Sequence, residues 1–301
     1  MTSAPDSTSR ESVEWWYWQF TLGSGALATV TFSLTSLITT GGPRCSLTIF
    51  DEFGSPISKV THEVPNLAVT HNPYLRVDSE YVRIEDGPAD SRISFESSEA
   101  SVMGRLSATM HYPQDWSVPC ILVLGEPATG PGFWWEVPAV RTSSHVTLEA
   151  SSLGVKFSGT ASGYHDHNWG DVLAFRHLSW LVWCHVWMPG GSFVGYASRL
   201  QRMNPVGRLF EARDGDVSEV TPAWRLQRED ATIRLLVEDV ESPWSVVEVS
   251  NRQTSRGLVG RMTRFATRPD HGRSVGDRTG TVVIDELCAG QPLTGWRFGT
   301  V

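Results

Sequence analysis

Residues 26–36 read ALATVTFSLTS. Ala28, Val30, Phe32 and Leu34 fall on one face, and Thr29, Thr31, Ser33 and Thr35 on the other. Side chains alternate along extended backbone, so this is a β-strand with one buried face. The pattern recurs outward from there. Residues 44–60, RCSLTIFDEFGSPISKV, read as a hairpin turning near Asp51 to Gly54. Residues 179–200, SWLVWCHVWMPGGSFVGYASRL, read as another, with Pro189-Gly190-Gly191 at its turn. Further strands follow at ATIRLLVEDVE, WSVVEVSN, GLVGRMTRFATR and GTVVIDEL. Helical periodicity is almost absent. Many short strands with regular turn signals predict an all-β fold, barrel or sandwich.

The chain has 301 residues, large for one small barrel. Two consecutive β domains are expected: residues 13–160 and 161–301, after a flexible N-terminus, residues 1–12. No low-complexity linker separates them, and neither half repeats the other in sequence. The formal net charge of -8 gives a nucleic-acid role no electrostatic support. A hydrophobic share of 40% with 13 tryptophans argues against disorder. The N-terminus, MTSAPDSTSRES, is polar, and no long apolar run follows. Neither secretion nor stable membrane insertion is expected, and the expected location is the cytoplasm. Cys45, Cys120, Cys184 and Cys288 lie far apart without CxxC spacing, so four free, mostly buried thiols are expected.

Candidate functional residues gather in three places. The first is VEWWYWQF, residues 13–20, where Glu14 shares a strand face with Trp16, Trp18 and Phe20. A carboxylate on an apolar face is costly unless paired or protonated. Glu14 is therefore either an acid facing a pocket or a buried partner that fixes the first strand. The second is GPGFWWEVPAV, where Trp134 and Trp135, beside Glu136, line a ligand cavity or fill the space between sheets.

The third is ASGYHDHNWGD, residues 161–171. Alternation puts Tyr164, Asp166 and Asn168 on one face and His165, His167 and Trp169 on the other. Three readings compete. A metal site would use His165 and His167 with a third ligand from His185, His177 or Asp171, but no HExxH or cysteine partner is present. An acid–base site would use His167 or Asp166, oriented by Asn168. A structural knot would bond the backbone where a strand bends. No serine has the GxSxG context of a nucleophile elbow.

GYHDHNWG (Gly163 to Gly170), with a Trp-Trp segment before it and EWWY (Glu14 to Tyr17) at the start, resembles the carotenoid 1,2-hydratase family and its lipocalin-like relatives. Those relatives include the lipocalin-like Diels–Alderases of natural-product pathways. The resemblance implies two lipocalin-like β domains with a hydrophobic pocket at or near their junction, and neither metal nor nucleotide cofactor. It implies roles for His167 and Trp169, and a Tyr-x-Asp acid pair on a following strand. In SFVGYASRL, Tyr196 fits the tyrosine, but Ser198 stands where the aspartate belongs. A serine hydroxyl is far too weak an acid to protonate an unactivated alkene.

The expected activity is therefore a cofactor-free cyclase of a hydrophobic polyene, polyketide or terpenoid, with [4+2] cyclisation as the first reading. An acid-driven hydratase or polyene cyclase using Asp166 or Glu14 is the alternative, and a non-catalytic lipid or pigment carrier the third. The expected catalytic residues are His167, Asp166, Tyr196 and Asn168. The expected ligand-lining residues are Glu14, Trp16, Trp18, Trp134, Trp135, Tyr164, Trp169, Trp183, His185, Trp187 and Ser198.

Overall fold

The computed structural model describes residues 12–23, 26–35, 42–50, 56–71, 74–99, 102–113, 116–124, 132–150, 154–171, 178–188, 191–200, 206–213, 215–219, 224–229, 232–237, 246–250, 252–254, 257–266 and 280–288. Residues 1–11 and both expected turn centres, residues 51–54 and 189–190, lie outside them. Among the described residues the chain is nearly all β, with one short 3-10 turn at Asn66–Ala68. It divides into two compact units, the second beginning at His177 and also taking in residues 53–55.

The first unit holds strands β1 (Ser12–Thr21), β2 (Leu27–Thr35), β3 (Arg44–Phe50), β4 (Pro56–Glu63), β5 (Val69–Thr70), β6 (Arg76–Asp78), β7 (Val82–Asp86), β8 (Asp90–Glu99), β9 (Val102–His111), β10 (Val118–Leu124), β11 (Phe133–Ala150) and β12 (Val155–Asp171). They form one sheet in the order β4-β3-β2-β1-β12-β11-β9-β8-β7-β6-β5, with β10 also paired to β11. The sheet is antiparallel throughout and curls on itself. His62 of β4 donates from Nε2 to the Glu96 carbonyl of β8 at 2.9 Å and stacks on Tyr81, although β4 and β8 lie far apart in the strand order.

The curl encloses the core. Ala28, Val30 and Phe32 of β2 point into it, joined by Trp16, Trp18 and Phe20 of β1 and Ile84, Phe95, Leu106 and Leu148 from the far side. This is the face that the ALATVTFSLTS alternation predicts. On the outer face of β6–β9, exposed pairs such as Arg83–Asp78 (3.4 Å) and Arg105–Glu96 (3.5 Å) mark the solvent side. Such pairs add little stability, but they penalise a register slip that would bury them.

The second unit holds β13 (Leu178–Met188), β14 (Gly191–Leu200), β15 (Val206–Arg213), β16 (Asp216–Glu219), β17 (Trp224–Glu229), β18 (Thr232–Val237), β19 (Val246–Ser250), β20 (Arg252–Thr254), β21 (Gly257–Ala266) and β22 (Gly280–Cys288). Their order is β16-β15-β14-β13-β22-β21-β19-β18-β17, with β20 also paired to β21. The two units share a topology that their sequences do not show. In each, the first strand pairs with the last, four strands run out one way, and the remainder return on the other side. The expected hairpins at residues 44–60 and 179–200 are both formed.

The boundary expected between residues 160 and 161 is corrected. It would cut β12, which pairs with β11 from Val155 to Gly170 and with β1 from Ser162 to Asp171. The polar motif is the last strand of the first unit, not the first strand of the second.

Candidate functional site

β12 changes character along its length. Residues 155–160 alternate between exposed and half-buried, whereas residues 161–170 are buried on nearly every side chain. The motif occupies that second half, flanked by β1 and β11. Polar groups placed there must find partners inside the protein. Its bounding glycines are set by space. A Cβ on Gly163 would lie 2.3 Å from Ser144 Oγ and 2.7 Å from Met110 Cε. A Cβ on Gly170 would lie 2.4 Å from the Gly132 carbonyl oxygen and 2.6 Å from Phe133 Cα.

The register sets the inner face. Glu14 lies opposite Trp169, Trp16 opposite His167, and Trp18 opposite His165. His167 Nε2 and Glu14 Oε1 are 2.9 Å apart. The imidazole stacks on Trp16 (4.4 Å between centroids, planes at 8°) and on Trp169 (4.5 Å, 29°). The Glu14 side chain is 2% exposed and that of His167 is 16%. Glu14 Oε2 is buried with no hydrogen-bond partner among the described residues. On the other flank, β11 sets Trp134 opposite Trp169 and Glu136 opposite His167, and both are half-buried. The result is a carboxylate–imidazole pair set among indoles.

The opposite face of β12 holds a separate network. Tyr164 Oη donates to Asp166 Oδ2 at 2.7 Å, and Asn168 Nδ2 donates to Asp166 Oδ1 at 2.6 Å. Burial raises the Asp166 carboxyl to about 6, against the opposing pull of Tyr164, the His165 charge, Trp135 and Asn168. Asp166, Tyr164 and Asn168 thus sit together, on the face away from His167.

His165 has partners of its own. Its Nδ1–H donates to the Tyr17 carbonyl at 2.9 Å, and its Nε2 lies 3.4 Å from Asp86 Oδ2. The ring stacks on Trp18 (4.8 Å, 2°) and Tyr112 (5.4 Å, 15°), and Tyr112 Oη donates to Asp86 Oδ1. Burial pulls the imidazole down, but the Asp86 charge and hydrogen bond and the Tyr17 carbonyl outweigh it, and the net shift is upward. Burial and the Asp86 charge hold the Tyr112 phenol well above its usual range. Sequence reasoning found His165 but neither Asp86 nor Tyr112, which come from β7 and just beyond β9 and carry no motif.

The remaining expected residues divide. Trp18, Trp135 and Tyr164, expected to line a pocket, are buried in the interior. Their indoles and phenol are spent on stacking and on holding Asp166. Trp16 and Trp169 are almost as deep, whereas Trp134 keeps a usable edge. In the second unit, register puts Trp183 opposite Tyr196, so Trp183, His185 and Tyr196 share a strand face. Trp183 and His185 meet with centroids 6.3 Å apart. Burial pushes the Tyr196 phenol up to about 12, so it remains a hydrogen-bond donor at neutral pH. The side chains of Trp187 and Ser198, like residue His177, lie outside the described residues.

Among the described residues, no group of three or more His, Cys, Asp or Glu side chains is placed to share a metal ion. His165 and His167 share a face, as expected, but each is committed to a different carboxylate. No helix among the described residues is long and apolar enough to cross a membrane.

No family model and no curated protein matches this sequence. Solved structures do match. CghA superposes with a TM-score of 0.62 at 12% identity, over 94% of this chain and 90% of that one. A provisionally named AttH from Nitrosomonas europaea gives 0.57 at 12% identity, over 92% of each chain. Kievitone hydratase from Nectria haematococca gives 0.58 at 10% identity, over 95% of this chain and 91% of that one. At such identities the likeness speaks for the fold, and it spans both units. With its two antiparallel sheets, each pairing its first strand with its last, the chain has the lipocalin-like fold that these proteins share.

Proposed function

We propose that this chain is a cofactor-free enzyme that cyclises a hydrophobic polyene of polyketide or terpenoid type, with intramolecular [4+2] cycloaddition as the reaction. One observation carries the reading: the Glu14–His167 pair, set among Trp16, Trp169 and the half-buried Trp134. An aromatic wall with one cluster of polar groups suits a long apolar ligand that has a polar end to orient. Cycloaddition asks mainly for positioning, which is worth roughly 7–11 kcal/mol at best when reacting atoms are held in line. Indole walls select the folded conformer and exclude water. His167 anchors the polar end. Asp166, Asn168 and Tyr164 act behind the wall, holding β12 in shape.

Acid-driven hydration is the second reading, with the buried Glu14 carboxyl beside His167 as its candidate acid. One of the similar structures is a hydratase by name. The two part in heavy water. Purified protein is incubated with linear polyenes that carry a conjugated diene and an acyl-activated alkene, and products are read by mass. Cycloaddition gives an isomer of unchanged mass without new C–D bonds. Hydration adds one water and a C–D bond. Ligand returned unchanged would mean a carrier. Substituting His167→Gln abolishes turnover in either catalytic reading, without loss of the melting transition.

A further inference from the structure

Three hydrogen-bond acceptors gather at His167: two carboxylates on the neighbouring strands and one nitrogen of the ring itself. Glu14 Oε2 is buried and unpartnered. Glu136, opposite His167 in the register, is half-buried. The third is a ring nitrogen. An ionised carboxylate only accepts, so a Nε2–Oε1 contact of 2.9 Å requires the hydrogen to sit on Nε2. A neutral imidazole has one N–H, which leaves Nδ1 as a bare lone pair. That nitrogen has no hydrogen-bond partner among the described residues, and the ring keeps part of its surface. No lysine or arginine lies beside the pair in the register of β1, β11 and β12.

We infer that Glu14 is a positioning residue that fixes His167 as its Nε2–H tautomer, so that the site meets its ligand with acceptors and selects hydrophobic molecules bearing a hydroxyl, an enol or an N–H. This rests on the proposed reading of the face as a polyene site, and it names the chemistry of the ligand's polar end. The end that reaches His167 donates, and the carbonyl, if the ligand has one, lies elsewhere. A ligand whose only polar group is an ether or ester finds no partner there. Glu14 acts through His167 and does not need to touch the reacting carbons.

Two measurements on the full chain test this. In histidine-labelled protein, long-range proton–nitrogen correlations report which ring nitrogen is protonated, and His167→Gln identifies the His167 signals. Wild type is expected to show the Nε2–H tautomer above neutral pH. Glu14→Ala gives a mixture, and Glu14→Gln, whose amide oxygen still accepts, restores the wild-type pattern. An Nδ1–H tautomer, an imidazolium, or no change in Glu14→Ala would overturn the inference. The second measurement is tryptophan fluorescence quenching by all-trans-retinol and by its methyl ether. The alcohol is expected to bind about tenfold more tightly, or better, because the ether leaves the acceptors unpaired. The preference disappears in Glu14→Ala and in His167→Gln. Equal binding of the two overturns the selectivity, whereas a correct tautomer without binding of either polyene sinks the polyene reading instead.

Discussion

Asp166→Asn separates the two faces of β12. The carboxyl is completely buried, and burial raises it from 3.8 to about 6. At about 1.4 kcal/mol per pH unit, that rise is worth about 3 kcal/mol. The sign follows from linkage. A carboxyl that holds its proton more tightly in the folded state contributes stability in full below its unfolded value of 3.8, and loses it as pH climbs through about 6. At neutral pH the wild type therefore bears the cost of a buried charge, eased by the bonds from Tyr164 and Asn168. The substituted amide has no charge to bury. Its oxygen accepts from the Asn168 amide, and its NH2 group donates to the Tyr164 oxygen once that hydroxyl turns. The expected outcome is a change in relative stability with pH. From about pH 3.5 to about pH 7.5 the variant gains about 3 kcal/mol on wild type, a difference in Tm of roughly 6–12 °C for a unit of this size. Thermal melts at several pH values measure it. Turnover stays within about tenfold, because Asp166 faces away from His167. Parallel stability profiles would refute the burial argument. Loss of turnover in a variant that melts normally would refute the separation of the faces.

Asp86→Asn strips His165 of its counter-charge and costs about 3 kcal/mol at acid pH. The His165 contribution is complete below about 6.5 and fades as pH rises through the raised folded value, so denaturant titrations should show the penalty shrinking in alkali, and a constant penalty would contradict it. Gly163→Ala forces a Cβ onto Ser144, Met110 and Thr142 and lowers stability by about 1–3 kcal/mol, whereas Gly23→Ala, with only Phe157 at 3.7 Å, is close to neutral. Similar melting of the two variants would show that the motif relaxes to make room. Burial pushes the Cys45 thiol far up, so native protein should leave it unlabelled by iodoacetamide until denaturant is added.

Much of this was legible in one dimension, for a physical reason. Alternation has a period of two and depends only on neighbours in the chain. It placed Phe32 inward, set Glu14 beside Trp16 and Trp18, and divided the motif into His165, His167 and Trp169 against Tyr164, Asp166 and Asn168. Each of these assignments holds in the folded chain. The motif's order also pointed to the lipocalin-like fold. Alternation says nothing about which strand lies alongside. The Glu14–His167 contact joins residues 153 apart, and it exists because β1 pairs with β12 in one register. A slip by one residue would send His167 to the other face and leave Glu14 buried without it.

The sequence by itself determined an all-β chain, the side of each strand on which a residue lies, and the stretch where polar chemistry is concentrated. Tertiary structure alone decided the partners: Glu14 with His167, Asp86 and Tyr112 with His165, Tyr164 and Asn168 with Asp166. It also decided the unit boundary, moving the motif from the start of the second unit to the end of the first. Strand faces are local properties of extended backbone, whereas pairing is a choice among distant segments, made by the closure of the whole sheet.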